Sequence, residues 1–362
     1  MDDLRVGLSY GDALLVPQRS PVDSRSDVDL STRLTPSIGL DVPLVSAAMD
    51  TVTEADLAVA LSRAGGFGVV HRFLTVDEQA AVVAAVAAAG ERVGAAVGID
   101  EDYVARTRAV VDAGVTAVVV DVAHGHLERA LDAVATLRET FPDLDLVAGN
   151  VATPAGVEDL AAAGADCVKV GIGPGSHCTT RKVAGAGVPQ LTAVDDCATA
   201  AADLDVTICA DGGIRSSGDA VKALMAGADT VMLGSLFAGT EEAPGRIVEV
   251  DGERYKRSRG MATTAAARER NDKEAAVGVD EGVEALTPYA GPLADVVDEF
   301  SAGLRSGLSY CGGHTIGAAR AKAEFVRVAP SAMEREGYHA DHDWEGANLD
   351  APPRSADAES DD

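Results

Sequence analysis

LDLVAGNVATPAGVEDLAAAGADCVKVGIG, residues 144–173, holds one complete structural unit. The apolar run LDLVAGNV is followed by Thr153, which reads as a helix N-cap, and by Pro154, suited to the first helical position because its missing N–H is not needed there. Gly164 ends the helical segment, and a second apolar run, CVKVGIG, begins at Cys167. Both runs are nearly continuous in hydrophobicity rather than alternating, as expected of parallel strands buried on both faces.

The same unit recurs along the chain. VPLVSAAM, FGVVH, VGAAVG, AVVVDVA, LDLVAGNV, CVKVGIG, TICADGG and TVMLGS make eight such runs. Helical segments alternate with them; in TVDEQAAVVAAVAAAG, Thr75 and Glu78 form a capping box and Gly90 supplies the C-terminal stop. Eight strand–helix units over roughly 250 residues predict an α/β fold of the (β/α)8, or TIM, barrel type, with a doubly wound open sheet as the alternative.

One loop breaks the rhythm. More than fifty residues separate Gly234, where the eighth strand ends, from a helix starting near Gly291, and within them RIVEVDGERYKRSRG has a hairpin signal at Asp251–Gly252. A long loop on the C-terminal rim of a barrel is usually a lid, so residues of about 240–290 are assigned to an active-site flap between strand 8 and helix 8. The stretch from His71 to Val93 is one helix long and holds no inserted domain, and SAGLRSGLSYCGGHTIGAARAKAEFVRV reads as a closing helix, a turn and a final helix. Residues 1–328 are expected to form a single barrel and residues 329–362 an acidic, partly disordered tail.

Composition narrows the function. The 362 residues include 58 acidic against 30 basic side chains, a formal net charge of −28, which argues against nucleic acid as a partner. Because the acidic residues are spread along the chain, they read as a surface adapted to high salt rather than a docking face for basic partners. There is no membrane-length apolar run and no signal-peptide pattern at the N-terminus, so a cytoplasmic protein is expected. Five cysteines without a C-x-x-C pair speak against a disulfide framework or a structural zinc site. Cys167, Cys197, Cys209 and Cys311 lie in strand, helix or turn patterns and read as structural; Cys178 alone sits in a glycine-rich loop.

The rim chemistry follows from the barrel. Loops seven and eight, ADGGIRSSGDA and LGSLFAG, place Gly212, Gly213, Gly234 and Ser235 where barrels commonly hold a phosphate. Asp211, at the end of strand seven, is positioned for a ribose diol. Strand six delivers Cys178 to the same rim, ahead of the donors of Arg181, where a thiolate could add to an electrophilic carbon. His177, adjacent in a turn, is expected to face away from it. Asp121 and Asn150 end strands four and five, on the side where a second ligand could lie. His124 and His126 read as loop histidines rather than metal ligands, since no Asp, Glu or Cys cluster accompanies them.

These residues carry a resemblance. PLVSAAMDTVTE, GGFGVVHR, DVAHGH, AGNVAT, VKVGIGPGSHCTTR, ADGGIRSSGD and VMLGSLFAGTEEAPG occur in the order found in the IMP dehydrogenase/GMP reductase family, and the chain resembles that family over about residues 5–328. The resemblance implies a TIM barrel, usually a homotetramer, that binds GMP or IMP and a nicotinamide cofactor. It makes Cys178 the nucleophile toward C2 of the purine. Ser176, Gly213, Gly234 and Ser235 would hold the 5′-phosphate, with Gly212 in the same loop; Asp211 would hold the ribose, and Gly260 and Met261 the base. Asp121 and Asn150 are assigned to the cofactor, NADPH or NAD. The carbonyls of Gly173, Gly175 and Cys178 would form a potassium site.

Markers of the two activities conflict. The nucleotide-sensing insert of dehydrogenases is absent, and ATTAAARERNDKEAAVGVD, residues 262–280, lacks their water-activating Arg-Tyr pair. Thr180 and Glu281 match the reductases' ammonia-handling Thr-Glu pair. DVAHGH, GPLADVV and AEFVRV look more like bacterial dehydrogenases. The expectation is a GMP reductase using NADPH. The alternatives are an IMP dehydrogenase using NAD, with Arg268 or Arg270 activating water, and a non-catalytic nucleotide-binding paralogue. The last is suggested by Ser258 and Ala262–Thr263, which stand where the family usually has a phosphate-binding tyrosine and a Gly-Ser pair.

Overall fold

The structure is a computed structural model that describes residues 4–100, 103–272 and 281–335. Flap residues 273–280 and the acidic tail from 336 onward lie outside the described residues. Residues 1–326 form one compact unit; residues 327–362 form a second, whose described part includes the short helix Pro330–Arg335.

Eight parallel strands form the sheet: β1 (Leu44–Ser46), β2 (Gly68–Val70), β3 (Val93–Val97), β4 (Ala117–Asp121), β5 (Asp145–Val151), β6 (Cys167–Val170), β7 (Thr207–Asp211) and β8 (Thr230–Leu233). Each pairs with its sequence neighbour, and β8 returns to β1 with Val231 opposite Leu44. A parallel bridge between Val45 and Phe67 joins β1 to the start of β2, with Ser46 N–H donating to Phe67 O at 3.0 Å. The sheet thus closes as a barrel, which excludes the open doubly wound alternative.

Strand periodicity explains the unbroken apolar runs. In β4, Ala117 and Val119 face a central core with Val45, Phe67, Val147, Cys209 and Met232, while Val118 and Val120 pack against the outer helices. From Ala117 to Val120 neither face reaches water, so these four positions are apolar, and each fully buried valine contributes about 1.5–3 kcal/mol.

The helix signals are realised. Thr75 Oγ1 accepts from Glu78 N–H at 3.2 Å and Glu78 Oε2 from Thr75 N–H at 2.8 Å, capping Val76–Ala88, the one helix between His71 and Val93. Thr153 caps Pro154–Ala162 through Gly156 N–H at 3.3 Å. The flap hairpin forms as read: β9 (Ile247–Val250) pairs antiparallel with β10 (Glu253–Arg259). Its turn residues have φ of 55° at Asp251 and 85° at Gly252, the left-handed pair that a two-residue turn between twisted strands requires. A third strand, β11 (Glu284–Pro288), extends this sheet with Arg259 opposite Glu284, and the sequence reading contains no such strand. The long helix Leu293–Tyr310 follows. Among the described residues, no helix is long and apolar enough to cross a membrane.

Candidate active site

The site is built where β6, β7 and β8 end and the flap sheet returns. A cavity of about 220 Å³ there is lined by Ser176, Cys178, Asp211, Gly212, Gly213, Gly234, Ser235, Gly260, Met261 and Glu281, together with Gly175 and His177. The nucleotide set assigned from the sequence therefore converges on one space. Gly212 shows why the loop after β7 needs glycine: its φ is 97°, and a Cβ there would sit 3.1 Å from Gly175 N and 2.9 Å from Pro174 Cγ.

The cysteine loop is stitched to the flap by backbone bonds. Thr179 N–H donates to Glu281 O at 2.9 Å, Val283 N–H to His177 O at 3.0 Å, and Glu281 N–H to Ala262 O at 3.1 Å. These bonds carry Glu281 to the thiol across 101 residues of sequence separation from Thr180. Thr180 Oγ1 donates to Glu281 Oε2 at 2.7 Å, and Cys178 Sγ lies 3.2 Å from Thr180 Oγ1. A hydroxyl has one proton, so with that proton on Glu281 the thiol must be the donor in the second contact. The arrangement is a directed path from S–H through a hydroxyl to a carboxylate.

Cys178 is exposed and the other four cysteines are buried. Burial pushes the Cys197 and Cys209 thiols up to about 12. Arg181 does not serve the thiol as expected; its guanidinium donates to Val188 O at 2.7 Å, and Thr180 takes the place beside Sγ. His177 turns away from the thiol, as the turn geometry requires: Nε2 is 2.8 Å from Ser258 Oγ and Nδ1 is 3.2 Å from Ser176 Oγ. Burial lowers its pKa. Ser258, in turn, is 2.7 Å from Thr287 Oγ1, so its hydroxyl is engaged with both His177 and the flap sheet.

Met261 and Gly260 are held by Arg259, whose Nε donates to Asp50 Oδ2 at 3.0 Å. Asp50 N–H also lies 3.3 Å from Met261 Sδ. Arg270 is clasped by both oxygens of Asp272 and stacks on Phe73, its guanidinium carbon 4.1 Å from the ring centre. His126 pairs with Asp159 at 2.7 Å, and no cluster of three metal-ligating side chains occurs among the described residues.

Beneath the cavity lies a group that the sequence reading missed. Lys169, in the middle of β6, is 3% exposed, with Nζ 2.8 Å from Asp121 Oδ1 and 2.7 Å from Asp211 Oδ2. Its remaining donor goes to Asn150 Oδ1. Burial opposes the charge, but the two carboxylates outweigh it and raise the lysine pKa. At Asp121, burial pushes the pKa up, Lys169 and Arg72 pull it down more strongly, and the net is a lowered value. Asn150 spends its amide on Gly171 O at 2.8 Å and Asp211 Oδ2 at 2.9 Å. Donation from the Asn150 amide to a cofactor would have to replace one of these, which leaves the second lone pair of Oδ1 as its open group. The signal was a single charge inside CVKVGIG.

For a cation, Gly173, Gly175 and Cys178 offer neutral carbonyl oxygens of one loop, a hard donor set suited to a monovalent ion. Gly175 O accepts from Cys178 N–H at 3.1 Å and keeps a second lone pair. The residues present fit such an ion.

A closed (β/α)8 barrel whose rim cavity is lined by an exposed cysteine and two glycine loops has the layout of an enzyme site at the end of the strands. Residues 7–339 match the family model described as IMP dehydrogenase / GMP reductase domain. An inosine-5′-monophosphate dehydrogenase of Nitrosopumilus maritimus is 36% identical over 470 aligned positions, covering 93% of this chain and 99% of that protein. A GMP reductase of Leishmania donovani is 34% identical over 475 positions, covering 92% and 96%. The crystal structure of GMP reductase C318A from Trypanosoma brucei in complex with guanosine 5′-monophosphate superimposes with a TM-score of 0.89 at 31% identity, covering 94% of this chain and 99% of that one. The chain belongs to the IMP dehydrogenase/GMP reductase family, oxidoreductases that act on purine nucleotides with a nicotinamide cofactor. Relatives with both names align over more positions than this chain has residues, so the missing insert does not separate the two activities.

Proposed function

We propose that the chain is a GMP reductase that converts GMP, NADPH and two protons into IMP, NADP⁺ and ammonium. The observation that carries this reading is the path from Cys178 Sγ through Thr180 Oγ1 to Glu281 Oε2, with contacts of 3.2 and 2.7 Å.

Cys178 loses its proton along that path to Glu281 and adds through sulfur to C2 of the purine. The exocyclic amine leaves as the C2–N bond breaks, and Glu281 returns the proton to it through Thr180. The C2–S adduct then remains, with the purine one hydride short of IMP. NADPH, when held beside Asp121, would supply that hydride at C2, and the C–S bond would break to release the Cys178 thiolate. Ser176 with the glycine loops would hold the phosphate, Asp211 the ribose, and the backbone of Gly260 and Met261 the base. Asp121 would meet the cofactor, and the carbonyls of Gly173, Gly175 and Cys178 would hold potassium.

The names of the N. maritimus and related proteins favour a second reading, oxidation of IMP to XMP with NAD. One paired assay separates them: purified protein with potassium, given GMP and NADPH in one cuvette and IMP and NAD in the other. Loss of NADPH absorbance with ammonium release supports the reductase. NADH formation from IMP with XMP accumulating, and no NADPH consumption, overturns it.

A further inference from the structure

The barrel floor places one cation between two carboxylates that serve different ligands in the proposed reaction. Lys169 has three N–H donors, and all three are used, on Asp121, Asp211 and Asn150. Asp121 gives the lysine Oδ1, which leaves Oδ2; Asp211 gives Oδ2 to both Lys169 and Asn150, which leaves Oδ1. The strand register fixes this arrangement. Asp121 and Asp211 end β4 and β7, on opposite sides of β6, and the lysine side chain bridges them from below.

We infer that Lys169 is a positioning residue that couples the nucleotide and cofactor sites, by fixing one oxygen of each carboxylate and leaving the other to its ligand. The inference rests on the reading that Asp211 meets the nucleotide ribose and Asp121 the cofactor. A shared cation makes the two carboxylates interdependent. Without it they are two half-buried like charges held close together with only Arg72 acting on Asp121, and their repulsion favours protonation or rotation of one, so the acceptor offered to the ribose weakens. With Asp121 neutral and Lys169 intact, the ammonium concentrates on Asp211 and draws on the electrons that would accept from the ribose.

The test is nucleotide binding without cofactor, by calorimetry, for both GMP and IMP. Lys169→Met is expected to weaken binding about ten- to hundredfold, the scale of a lost charge-assisted hydrogen bond. Adding Asp121→Asn to that variant removes the like charge, leaves Asp211 ionised, and is expected to recover most of the loss. A lysine that merely supports the fold would lower the melting temperature but would show no such rescue. A folded Lys169→Met with unchanged affinity, or a loss that Asp121→Asn does not repair, overturns the coupling. If Lys169→Met does not fold, Asp121→Asn alone decides: a threefold or greater weakening of nucleotide binding, by a residue assigned to the other ligand, supports the inference, and unchanged affinity overturns it. A native protein that binds neither nucleotide overturns the site reading and the coupling together, whereas nucleotide binding with turnover only of IMP overturns the reductase and leaves the coupling to these variants.

Discussion

Glu281→Gln isolates the chemistry of the proton path from its geometry. The backbone of residue 281 accepts from Thr179 and donates to Ala262, so those pairings survive a side-chain change. Glutamine can still accept the Thr180 hydroxyl through its carbonyl oxygen, so the 2.7 Å contact is conserved in kind. What disappears is the carboxylate's capacity to hold a proton. General acid–base catalysis contributes about 10²–10⁴ in rate, and at about 1.36 kcal/mol per tenfold that is about 2.7–5.5 kcal/mol of barrier. Thr180→Val should cost a similar factor by breaking the path in the middle. The double variant should lose little beyond the worse single, because the two residues act as one unit. The assay is steady-state NADPH oxidation with saturating GMP, alongside calorimetric GMP binding in a Cys178→Ala background to confirm an intact site. A Glu281→Gln enzyme within threefold of native kcat, or additive losses in the double variant, would refute the proton path.

Three further outcomes are expected. Iodoacetamide at pH 8 should label the folded protein once, at Cys178, with activity lost in proportion; burial holds Cys197 and Cys209 near 12, so they stay protonated far above that pH, and mass spectrometry showing a second labelled thiol before unfolding contradicts the burial pattern. Gly171→Ala should destabilise by about 1–3 kcal/mol or more in urea and raise the nucleotide KM, since its Cβ would lie 2.0 Å from Asp211 O, and a neutral substitution would show that β7 yields freely. With a formal net charge of −28, the melting temperature should rise as KCl is increased from about 0.1 M, where the Debye length is near 10 Å, to molar levels; a flat or falling curve would remove the high-salt reading of the surface.

The barrel was legible because its rule is local. Strand positions such as Val118 and Val168 need no partner's identity to be read: an apolar run of four or five residues, a cap such as Thr153 and a stop such as Gly164 recur along the chain, and chain order then dictates strand order. Cys178 stood out for a similar reason, as a lone thiol in a glycine-rich loop at a strand end. Lys169 was not legible. A lysine among valines announces an anomaly, but that Asp121, Asn150 and Asp211 converge on it depends on the inward register of four strands. Strand β11 was missed because EALTP carries little of the β-branched pattern that marks a strand; its pairing with β10 comes from the flap folding back on itself. The Thr180–Glu281 contact was visible only through family resemblance, since nothing local in either segment points to the other.

In the proposed reductase reaction deamination would be self-contained: the proton taken from the Cys178 thiol would rest on Glu281 and go back to the departing amine along the same path, so one carboxylate would suffice. Hydrolysis of a C2–S adduct needs a base for water as a separate group, and in the sequence the candidates were Arg268 and Arg270. Arg270 is tied through Nε and a terminal nitrogen to the two oxygens of Asp272 and laid against Phe73, an arrangement that holds the guanidinium in one place with two of its nitrogens already engaged. Arg268 sits in the last turn of a short helix and is exposed. A dehydrogenase relying on Arg270 would therefore have to release it from this clasp before each hydrolysis, whereas a reductase can leave the clasp closed throughout turnover. Asp272→Asn consequently separates the two chemistries: it frees Arg270, and it should leave NADPH oxidation with GMP within about threefold while changing any XMP formation from IMP by about tenfold or more. A large loss of GMP-dependent turnover in that variant would show that the clasp belongs to the reductive cycle and overturn this separation of the two chemistries.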